Sequence, residues 1–396
     1  MRMLFSSVAG LGSLHPLIAL AREAKAAGHE VAIATSEPLR PLIERLDFLF
    51  FPTGPSPVAE MMRRHPDVRV PPVDGDDEST KQVRQLIFGG VLVELMLPGL
   101  LDASRSWLPD IVVRGHLALA PYIAAEELGI PHATIEEAAA GELTSHERMF
   151  AEPLARWRRE RGLSPDPELA SLRRYLWLVP FPPSLRHDTA PFGPTARRIQ
   201  PLIFNESRTS PPPGWLESLP DGPVVHTSLG TVAQRPELLR TIVDGLAGEP
   251  YTVVLATGAP AMAEALGTLP PNVIAVPFVP HSLLLPRCDA FITHAGAGSL
   301  ITGIMTGLPM VFVPLFGDQP HNAMCAEEAG AGIMLDPVTL TAESVRHATR
   351  AVLGERRYRE SVQRLRDEAN ALPDHKQAVH WLEYVAEHRA TPPAAH

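Results

Sequence analysis

The chain has 396 residues, of which 45% are apolar and 20% charged, and its formal net charge is −10. This composition is that of a globular protein and argues against long disordered segments. The acidic balance, with no stripe of Lys or Arg, excludes nucleic acid as an expected partner. Because the length exceeds what one hydrophobic core usually supports, two domains with a cleft between them are expected.

Cysteine content and apolar runs bear on the compartment. Cys288 and Cys325 are the only thiols, so neither a disulfide framework nor a zinc site can be built from them. Residues 1–7 lack a basic segment followed by a long apolar stretch, and no run of about 18 apolar residues occurs later. We therefore expect a cytoplasmic protein with no transmembrane segment and no metal site.

The first half of the chain alternates between strand and helix signals. The pattern strand, helix, strand occurs at residues 3–7, 14–27 and 30–35, and again at 110–114, 121–128 and 132–135. This alternation predicts a parallel sheet with crossover helices. The stretches 52–77 and 138–163 are too irregular for the sheet. They are either acceptor-binding loops or surface insertions.

A proline-rich segment separates this half from a second alternating series. Residues 207–213, which end in three consecutive prolines, cannot form a helix or a central strand. Strand and helix signals then recur at 224–228, 236–247, 252–256, 273–277 and 290–293, followed by a charged helical region at 344–371. The prediction is two Rossmann-like, doubly wound domains, 1–206 and 214–375, joined by that linker. A helix within about 376–396 is expected to pack back on the first domain.

The most informative segment is a buried strand that runs into small residues and then a helix. After Ile292 come His294, Gly296, Gly298 and Ser299, and the helix is predicted to begin at Gly298 or Ser299. Small residues let a ligand approach the backbone, and unpaired N–H groups at a helix N-terminus suit a diphosphate. His294 could donate to a phosphate oxygen as charge develops there, so no metal would be needed. The alternative is a tight turn without a ligand.

A second polar cluster, residues 318–322, follows the predicted strand within 307–314. Polar groups at the carboxyl end of a parallel strand face the ligand crevice. Asp318 and Gln319 can accept hydrogen bonds from neighbouring sugar hydroxyls and donate to them. In isolation the same pair would be read as a solvated turn.

Five blocks in residues 269–323 together resemble glycosyltransferase family 1 of the GT-B fold. They are L-P-P-N-V, V-P-F-V-P-H, F-I-T-H-A-G-A-G-S, G-L-P-M-V and D-Q-P-H-N-A. The resemblance is strongest to bacterial members that attach sugars from dTDP donors to natural products. It implies two domains facing each other across a deep cleft, with the nucleotide sugar held by the second domain.

The resemblance also implies roles for individual residues. Phe278 would stack on the nucleobase, the backbone of Val279 would read the base edge, and His281 would contact the ribose. The remaining donor-binding positions are Ser228, Gly230 and Thr231 in a loop, His294, Ala295, Gly296, Gly298 and Ser299 at the pyrophosphate, and Asp318 and Gln319 at the sugar. Thr302 stands where UDP-using members carry Glu. Since a buried carboxylate without a 2′-hydroxyl partner is costly, the threonine favours dTDP.

The general base is harder to place. The family's usual His and Asp correspond to Ser13 and Gly115, so the usual dyad is absent. Ser13 is explained as the N-cap of the first helix, although it is kept among the catalytic candidates. His15 and His116 each follow a predicted strand of the first domain, and either could take the acceptor proton. A helix N-terminus should keep His15 neutral.

These observations predict an inverting transferase that moves a sugar or a deoxysugar from dTDP to a hydroxyl of a small natural-product aglycone. The acceptor is expected to contact Met61, Phe88, Met96 and Glu136, whose surroundings suggest an apolar molecule. No cofactor is expected, and the protein would be a monomer or a homodimer. Loss of both dyad positions leaves open a non-catalytic helper of another transferase, and a UDP-sugar-dependent transferase acting on a lipid-like acceptor is also left open.

A nicotinamide-dependent oxidoreductase is a weaker alternative. It is suggested by Gly10 and Gly12 after the first strand, but His15 stands where the third glycine of that motif is expected. Close packing of the helix on a pyrophosphate would then be lost. The phosphate-binding pattern of the second domain would also have no explanation.

Overall fold

The computed structural model describes residues 1–8, 10–64, 78–139, 148–185, 193–204, 213–230 and 235–393. Two parallel sheets dominate it. The strands of the first are β1 Arg2–Ser6, β2 Glu30–Thr35, β3 Leu49–Pro52, β4 Ile111–Gly115, β5 His132–Ile135, β6 Leu176–Val179 and β7 Ala196–Arg198. Those of the second are β8 Val224–Ser228, β9 Thr252–Ala256, β10 Val273–Val276, β11 Ala290–Thr293, β12 Met310–Phe312 and β13 Gly332–Met334.

The strand orders are β3-β2-β1-β4-β5-β6-β7 and β10-β9-β8-β11-β12-β13. Both orders place the first strand of the domain in the interior and reverse direction beside it, which is the doubly wound arrangement. Such a reversal opens a crevice at the carboxyl ends of the strands. The predicted fold class is therefore confirmed, with two Rossmann-like domains.

Helices cover both faces of each sheet. In the first half they are Leu11–Ala26, Arg40–Arg45, Pro57–Arg64, Glu78–Arg84, Gln85–Val91 (a π-helix), Leu92–Trp107, Leu119–Leu128 and Ala151–Glu160, with 3₁₀ turns at Glu37–Leu39 and Ala170–Arg173. In the second half they are Pro236–Leu246, Pro260–Ala265, His281–Leu284, Ala297–Thr306, Gln319–Glu328, Ala342–Gly354, Arg356–Asn370 and His375–His388, with 3₁₀ turns at Gly214–Ser218 and Leu285–Arg287.

Alternation along β1 shows how the sequence produces these layers. Phe5 lies between Ile33 and Val113 in the sheet and packs under the helix Leu11–Ala26. Leu4 points to the opposite face, under the helix Leu92–Trp107. Each of these side chains is fully buried, and burial of one such side chain contributes about 1.5–3 kcal/mol. Strands that are apolar on both faces are typical of a covered parallel sheet.

The last helix, His375–His388, packs against the first sheet rather than the second. Trp381 and Leu382 are buried in the same cluster as Leu14 and Leu17. The carboxylate of Glu383 also lies 2.8 Å from Nε2 of His29. The chain thus returns to its first half after building the second, while the exact domain limits stay a prediction.

Strand and helix positions from the sequence hold with differences at the ends of segments. β2, β5, β8, β9 and β11 have the expected limits, whereas β3, β6, β7 and β13 were not predicted. β7 reads Ala-Arg-Arg and β13 has three residues, so neither has a detectable period. In the described parts of 53–77 and 138–163 there are helices and no strand.

One helical run, Lys81–Trp107, is long and apolar enough to pass a composition test for a membrane span. Half of its most apolar window is buried inside the protein. Val93, Met96 and Leu100 pack against the first sheet, where Leu4 and Val112 meet them. A buried core helix passes the same test, so the run is accounted for by packing.

Candidate active site

The predicted phosphate loop lies between β11 and the helix Ala297–Thr306. The chain turns sharply after His294, since Ala295 has a φ of 61°, a left-handed conformation that is rare for a residue with a side chain. The helix begins at Ala297 with Gly296 at its N-cap, one residue earlier than predicted. The N–H groups of Ala297, Gly298 and Ser299 precede the first intrahelical bond, which Leu300 donates to Gly296. They are the groups that an anion would meet.

The His294 ring lies against two glycines. A methyl group on Gly230 would stand 3.0 Å from Nε2 of His294, and one on Gly296 would stand 2.6 Å from the same atom. Nδ1 is buried and has no hydrogen-bond partner among the described residues. Burial lowers the pKa of His294 to about 4, against a hydrogen bond to the backbone of Ser228, so the ring is neutral at pH 7. A neutral imidazole that packs between two loops and has one nitrogen without a hydrogen-bond partner among the described residues can bind a ligand.

Three further aromatic rings lie beneath this loop. His226 stacks on Phe291 at 5.0 Å between centroids, and His281 meets both rings edge-on. Burial, followed by repulsion from His226, His294 and His15, lowers the pKa of His281 to about 3. His15, the last of these neighbours, belongs to the first half of the chain.

The predicted base-binding residues follow β10. Phe278 is 58% exposed, which leaves its ring open to stacking, whereas the Val279 side chain is buried. Ser228 ends β8, and its hydroxyl accepts a bond from the N–H of Gly230 at 3.4 Å. Thr231 lies outside the described residues. The hydroxyl of Thr302 donates to the carbonyl of Gly298 at 2.7 Å, one turn earlier in the helix.

The polar cluster after β12 is arranged around Asn322, which is completely buried. Its amide nitrogen donates to the carbonyl of Ala295 at 3.0 Å and to Asp318 at 2.5 Å. Its amide oxygen accepts the N–H of Ala139, a residue of the first half, at 2.8 Å. Asn322 therefore links the phosphate loop, the Asp318 carboxylate and the opposite wall of the cleft.

Asp318 and Gln319 have different surroundings. The Asp318 side chain is exposed. Desolvation by the surrounding residues nevertheless raises its pKa, while the hydrogen bond from Asn322 acts in the opposite direction. Gln319 is buried, and its side-chain oxygen accepts from the N–H groups of Leu315 and Phe316 at 2.8 and 3.2 Å. That oxygen therefore stabilises the loop. Only the amide nitrogen of Gln319 is left to meet a sugar.

On the opposite wall the helix that follows β1 begins earlier than predicted. It starts at Leu11 with Gly10 at the N-cap, so Ser13 lies inside the first turn and the N-cap interpretation is wrong. The small residues before Leu14 continue the helix because Leu14 already bonds to the carbonyl of Gly10. Burial lowers the pKa of His15 to about 4, and its ring lies 4.9 Å from that of Phe204. His15 is neutral as expected, but burial is the cause.

His116 follows β4 directly and lies between two carboxylates. Its Nδ1 is 3.4 Å from Glu136 and 3.3 Å from Glu137. Burial by itself would lower the pKa of His116, but the charges of Glu136 and Glu137, with Asp318 farther off, raise it to about 9. Burial raises the pKa of Glu136. The raised pKa favours the cationic form of His116 at neutral pH, and the charge of Asp318, in the second half of the chain, contributes to this shift.

The residues expected to contact the acceptor all belong to the first half. Met61, Met96 and Glu136 are buried, and Phe88 packs edge-on against Phe150 at 6.4 Å. Glu136 lies beside His116, whereas the three apolar residues belong to helices of the segment from Pro57 to Trp107. Glu136 is the member of this set that lies beside other candidate site residues.

The structure adds Glu137 and Asn322 to the site. Glu137 follows β5 at its carboxyl end, and this position was a usable signal, whereas Asn322 lies in the helix Gln319–Glu328 that comes after β12. What the sequence could not indicate is their partners. His116 and Asn322 meet residues that are about 20 and 183 positions away, through the pairing of β4 with β5 and the closure of the cleft.

Comparison with known proteins agrees with this geometry. Residues 215–396 match the family model described as UDP-glucoronosyl and UDP-glucosyl transferase. The chain is 27% identical to the 3-alpha-mycarosylerythronolide B desosaminyl transferase of Saccharopolyspora erythraea, covering 99% of this chain and 100% of that protein. It is 29% identical to the 10-deoxymethynolide desosaminyltransferase of Streptomyces venezuelae, covering 100% and 99%.

Solved structures give the same result. The glycosyltransferase VinC in complex with dTDP superimposes with a TM-score of 0.79 at 27% identity, over 98% of this chain and 100% of that one. Similarity therefore extends along the whole chain and includes both sheets and the cleft. The chain is a sugar-transferring enzyme, a glycosyltransferase of the GT-B fold related to bacterial natural-product glycosyltransferases.

Proposed function

We propose that this enzyme transfers a deoxysugar from a dTDP-sugar to a hydroxyl of a small natural-product aglycone, with inversion at the anomeric carbon. The observation that supports it most is the uncapped N-terminus of Ala297–Thr306 beside the neutral ring of His294. Residues 214–375 bind the donor in this proposal, and residues 1–206, with the helix in 376–396, bind the acceptor. The enzyme would be cytoplasmic, would need no cofactor or metal, and would act as a monomer or homodimer.

The donor is assigned to the second half on charge and shape. A diphosphate before Ala297 would receive up to three backbone N–H groups and a bond from His294. Thymine would stack on Phe278, and the sugar would lie against Asp318 and the amide nitrogen of Gln319. These contacts would hold the leaving group while its negative charge grows.

Geometry favours His116 over His15 as the proton acceptor. The charge of Asp318, the residue assigned to the donor sugar, acts on His116, whereas the His15 ring packs on Phe204. Position relative to the reacting hydroxyl comes before pKa in choosing a base. The acceptor oxygen would attack the anomeric carbon, its proton would pass to His116, and dTDP would leave with the electron pair of the broken bond.

Nucleotide preference provides the first test. We expect the wild type to bind dTDP about 10-fold or more tightly than UDP, because thymine buries a methyl group and the extra 2′-hydroxyl of UDP lacks a partner at Thr302. Isothermal titration with both nucleotides measures this ratio. Thr302→Glu should shift the preference toward UDP, and Thr302→Ser, which keeps a hydroxyl that can bond to Gly298, should not.

Other outcomes of the titration would redirect the account. Failure of the wild type to bind either nucleotide at millimolar concentration would rule out the donor assignment. Tight dTDP binding without turnover on any acceptor, with the His116 cluster intact, would favour the non-catalytic helper instead. Ser13 and Gly115 stand where the family has its catalytic histidine and aspartate, and this observation is the reason to consider the second function.

A further inference from the structure

The space beside β4 in which the family's aspartate would begin is filled by another carboxylate. A Cβ atom built on Gly115 would stand 2.5 Å from one oxygen of Glu137 and 2.6 Å from the other. Glu137 reaches this space from the end of β5, whose Ile135 pairs in register with Gly115. The absence of a side chain at position 115 is therefore what admits the Glu137 carboxylate.

The same carboxylate contacts the ring that follows Gly115. One oxygen of Glu137 is 3.3 Å from Nδ1 of His116, and Glu136 approaches that nitrogen at 3.4 Å. The backbone N–H of Glu137 also donates to this nitrogen, at 3.2 Å. Both acidic groups and this N–H meet the ring on its Nδ1 side, which leaves Nε2 to meet a substrate. A carboxylate at Nδ1 fixes the orientation of an imidazole and stabilises its protonated form.

The two carboxylates are not equivalent. Glu136 accepts hydrogen bonds from the backbone N–H groups of Glu137 and Ala138, both at 3.1 Å, so its own turn holds it. The Glu137 side chain is 7% exposed, and its oxygens have no hydrogen-bond partner in the described part of the chain. A buried carboxylate needs a compensating charge. The His116 ring, whose Nδ1 is 3.3 Å from Glu137, supplies that charge when it is protonated.

We propose that Glu137 is the positioning residue of His116 and takes over, from the neighbouring strand, the task of the aspartate missing at Gly115. The inference rests on the proposed function. In the transfer step the acceptor O–H proton goes to Nε2 of the neutral His116 ring, and Nδ1–H pairs with the Glu137 carboxylate. The backbone N–H of Glu137, which lies near both Nδ1 and Glu136, then bonds to Glu136. The new bond to the anomeric carbon forms as its bond to the phosphate oxygen of dTDP breaks.

The charged groups around His116 are Glu136, Glu137, Asp318 and Arg114. Arg114 donates to the backbone carbonyl of His116 at 3.1 Å, and Asp318 approaches from the second half of the chain. Removal of Glu137 alone therefore leaves two acidic groups in place. The expected change is a partial fall in the pKa of His116, together with a loss of ring orientation.

The test is Glu137→Gln, which keeps the shape of the side chain and removes its charge. Nuclear magnetic resonance of the full chain with isotope-labelled histidine, assigned with His116→Gln, follows the His116 titration. We expect its midpoint to fall from about 9 to about 8 or lower. We also expect kcat to fall about 10- to 1,000-fold, with the donor KM changed less than about 3-fold.

Two further variants sharpen the test. Gly115→Ala should lower the same midpoint, because its methyl group displaces the Glu137 carboxylate. The double variant Gly115→Asp with Glu137→Ala should recover part of the kcat that Glu137→Ala loses, since a carboxylate returns from the usual strand. Glu168→Gln, an exposed acid in the same half of the chain, should leave both readouts unchanged.

The proposal fails if Glu137→Gln leaves the midpoint at the value measured for the wild type, because the contact would then not exist in solution. It also fails if the midpoint moves while kcat stays within about 2-fold, since the pair would then be structural. A wild type without transferase activity would contradict the proposed function but not the His116–Glu137 contact. The titration detects this contact without any substrate.

Discussion

Replacing His294 with alanine is expected to weaken dTDP binding about 10- to 100-fold. The ring is neutral, it is wedged between Gly230 and Gly296, and its Nδ1 is buried with no partner among the described residues. A hydrogen bond to a charged phosphate contributes about 1.5–3 kcal/mol, which corresponds to this loss of affinity. Isothermal titration of wild type and variant with dTDP measures it.

A matched pair of glycine variants separates ring placement from general damage. Gly296→Ala puts a methyl group 2.6 Å from Nε2 of His294, so the ring must move and affinity should fall as in His294→Ala. Gly354→Ala, the same change in the same half of the chain, has open space around its methyl group and should bind dTDP like the wild type. Unchanged affinity in both His294→Ala and Gly296→Ala would exclude the loop as the phosphate site.

Replacing His116 with alanine is expected to lower kcat about 10²- to 10⁴-fold, the usual contribution of a general base. The pH profile of the wild type carries the same information. Glu136 and Glu137 raise the pKa of His116 to about 9, so the neutral form that accepts a proton becomes more abundant as pH rises toward that value. We expect kcat/KM to increase from pH 6 to about pH 9 and then to level off.

His15 makes the opposite prediction and serves as the comparison. Burial lowers its pKa to about 4, so a reaction that used His15 as base would keep its rate down to about pH 5. A flat profile between pH 5 and 8, together with a larger loss in His15→Ala than in His116→Ala, would contradict the assignment. Each histidine variant should therefore be measured at three pH values with the same donor and acceptor.

The free energy of unfolding also depends on the protonation of these histidines. Its His116 contribution falls as pH rises, whereas the activity is expected to rise. The folded state binds the His116 proton more tightly than the unfolded state, whose histidines titrate near 6.5. This contribution is fully present below pH 6.5 and is lost as pH rises through about 9. His281 and His294 have lowered pKa values and oppose folding only when acid protonates them in the unfolded chain, below about 6.5. Alkaline assays should accordingly be accompanied by a check of the folded fraction.

Local sequence patterns predict much of the fold correctly. The apolar run at β11 followed by His294 and glycines predicts a strand, a turn and an exposed helix N-terminus, and the structure has all three. Ser13 is not the N-cap, although serine is a good N-cap residue, because Gly10 has the extended backbone that starts the helix three residues earlier. Whether a serine caps a helix therefore depends on the backbone geometry of its neighbours as well as on its own N-cap propensity.

The proton-transfer site was accessible from the sequence only in part. His116 could be found because it follows a strand, and its partners could not, because Glu137 is brought to it by strand pairing and Asp318 by the approach of the two halves. The sequence likewise shows Asn322 in a polar cluster, while its bond to Ala139 exists only across the cleft. Long-range contacts of this kind are set by topology rather than by local spacing.

The proposed reaction depends on where the diphosphate binds, and a structure of the enzyme with dTDP tests this most directly. We predict both phosphates at the N-terminus of Ala297–Thr306, one oxygen within hydrogen-bond distance of His294, and thymine against the exposed ring of Phe278. A nucleotide bound anywhere else, with the loop after Ile292 closed against protein, would contradict the account.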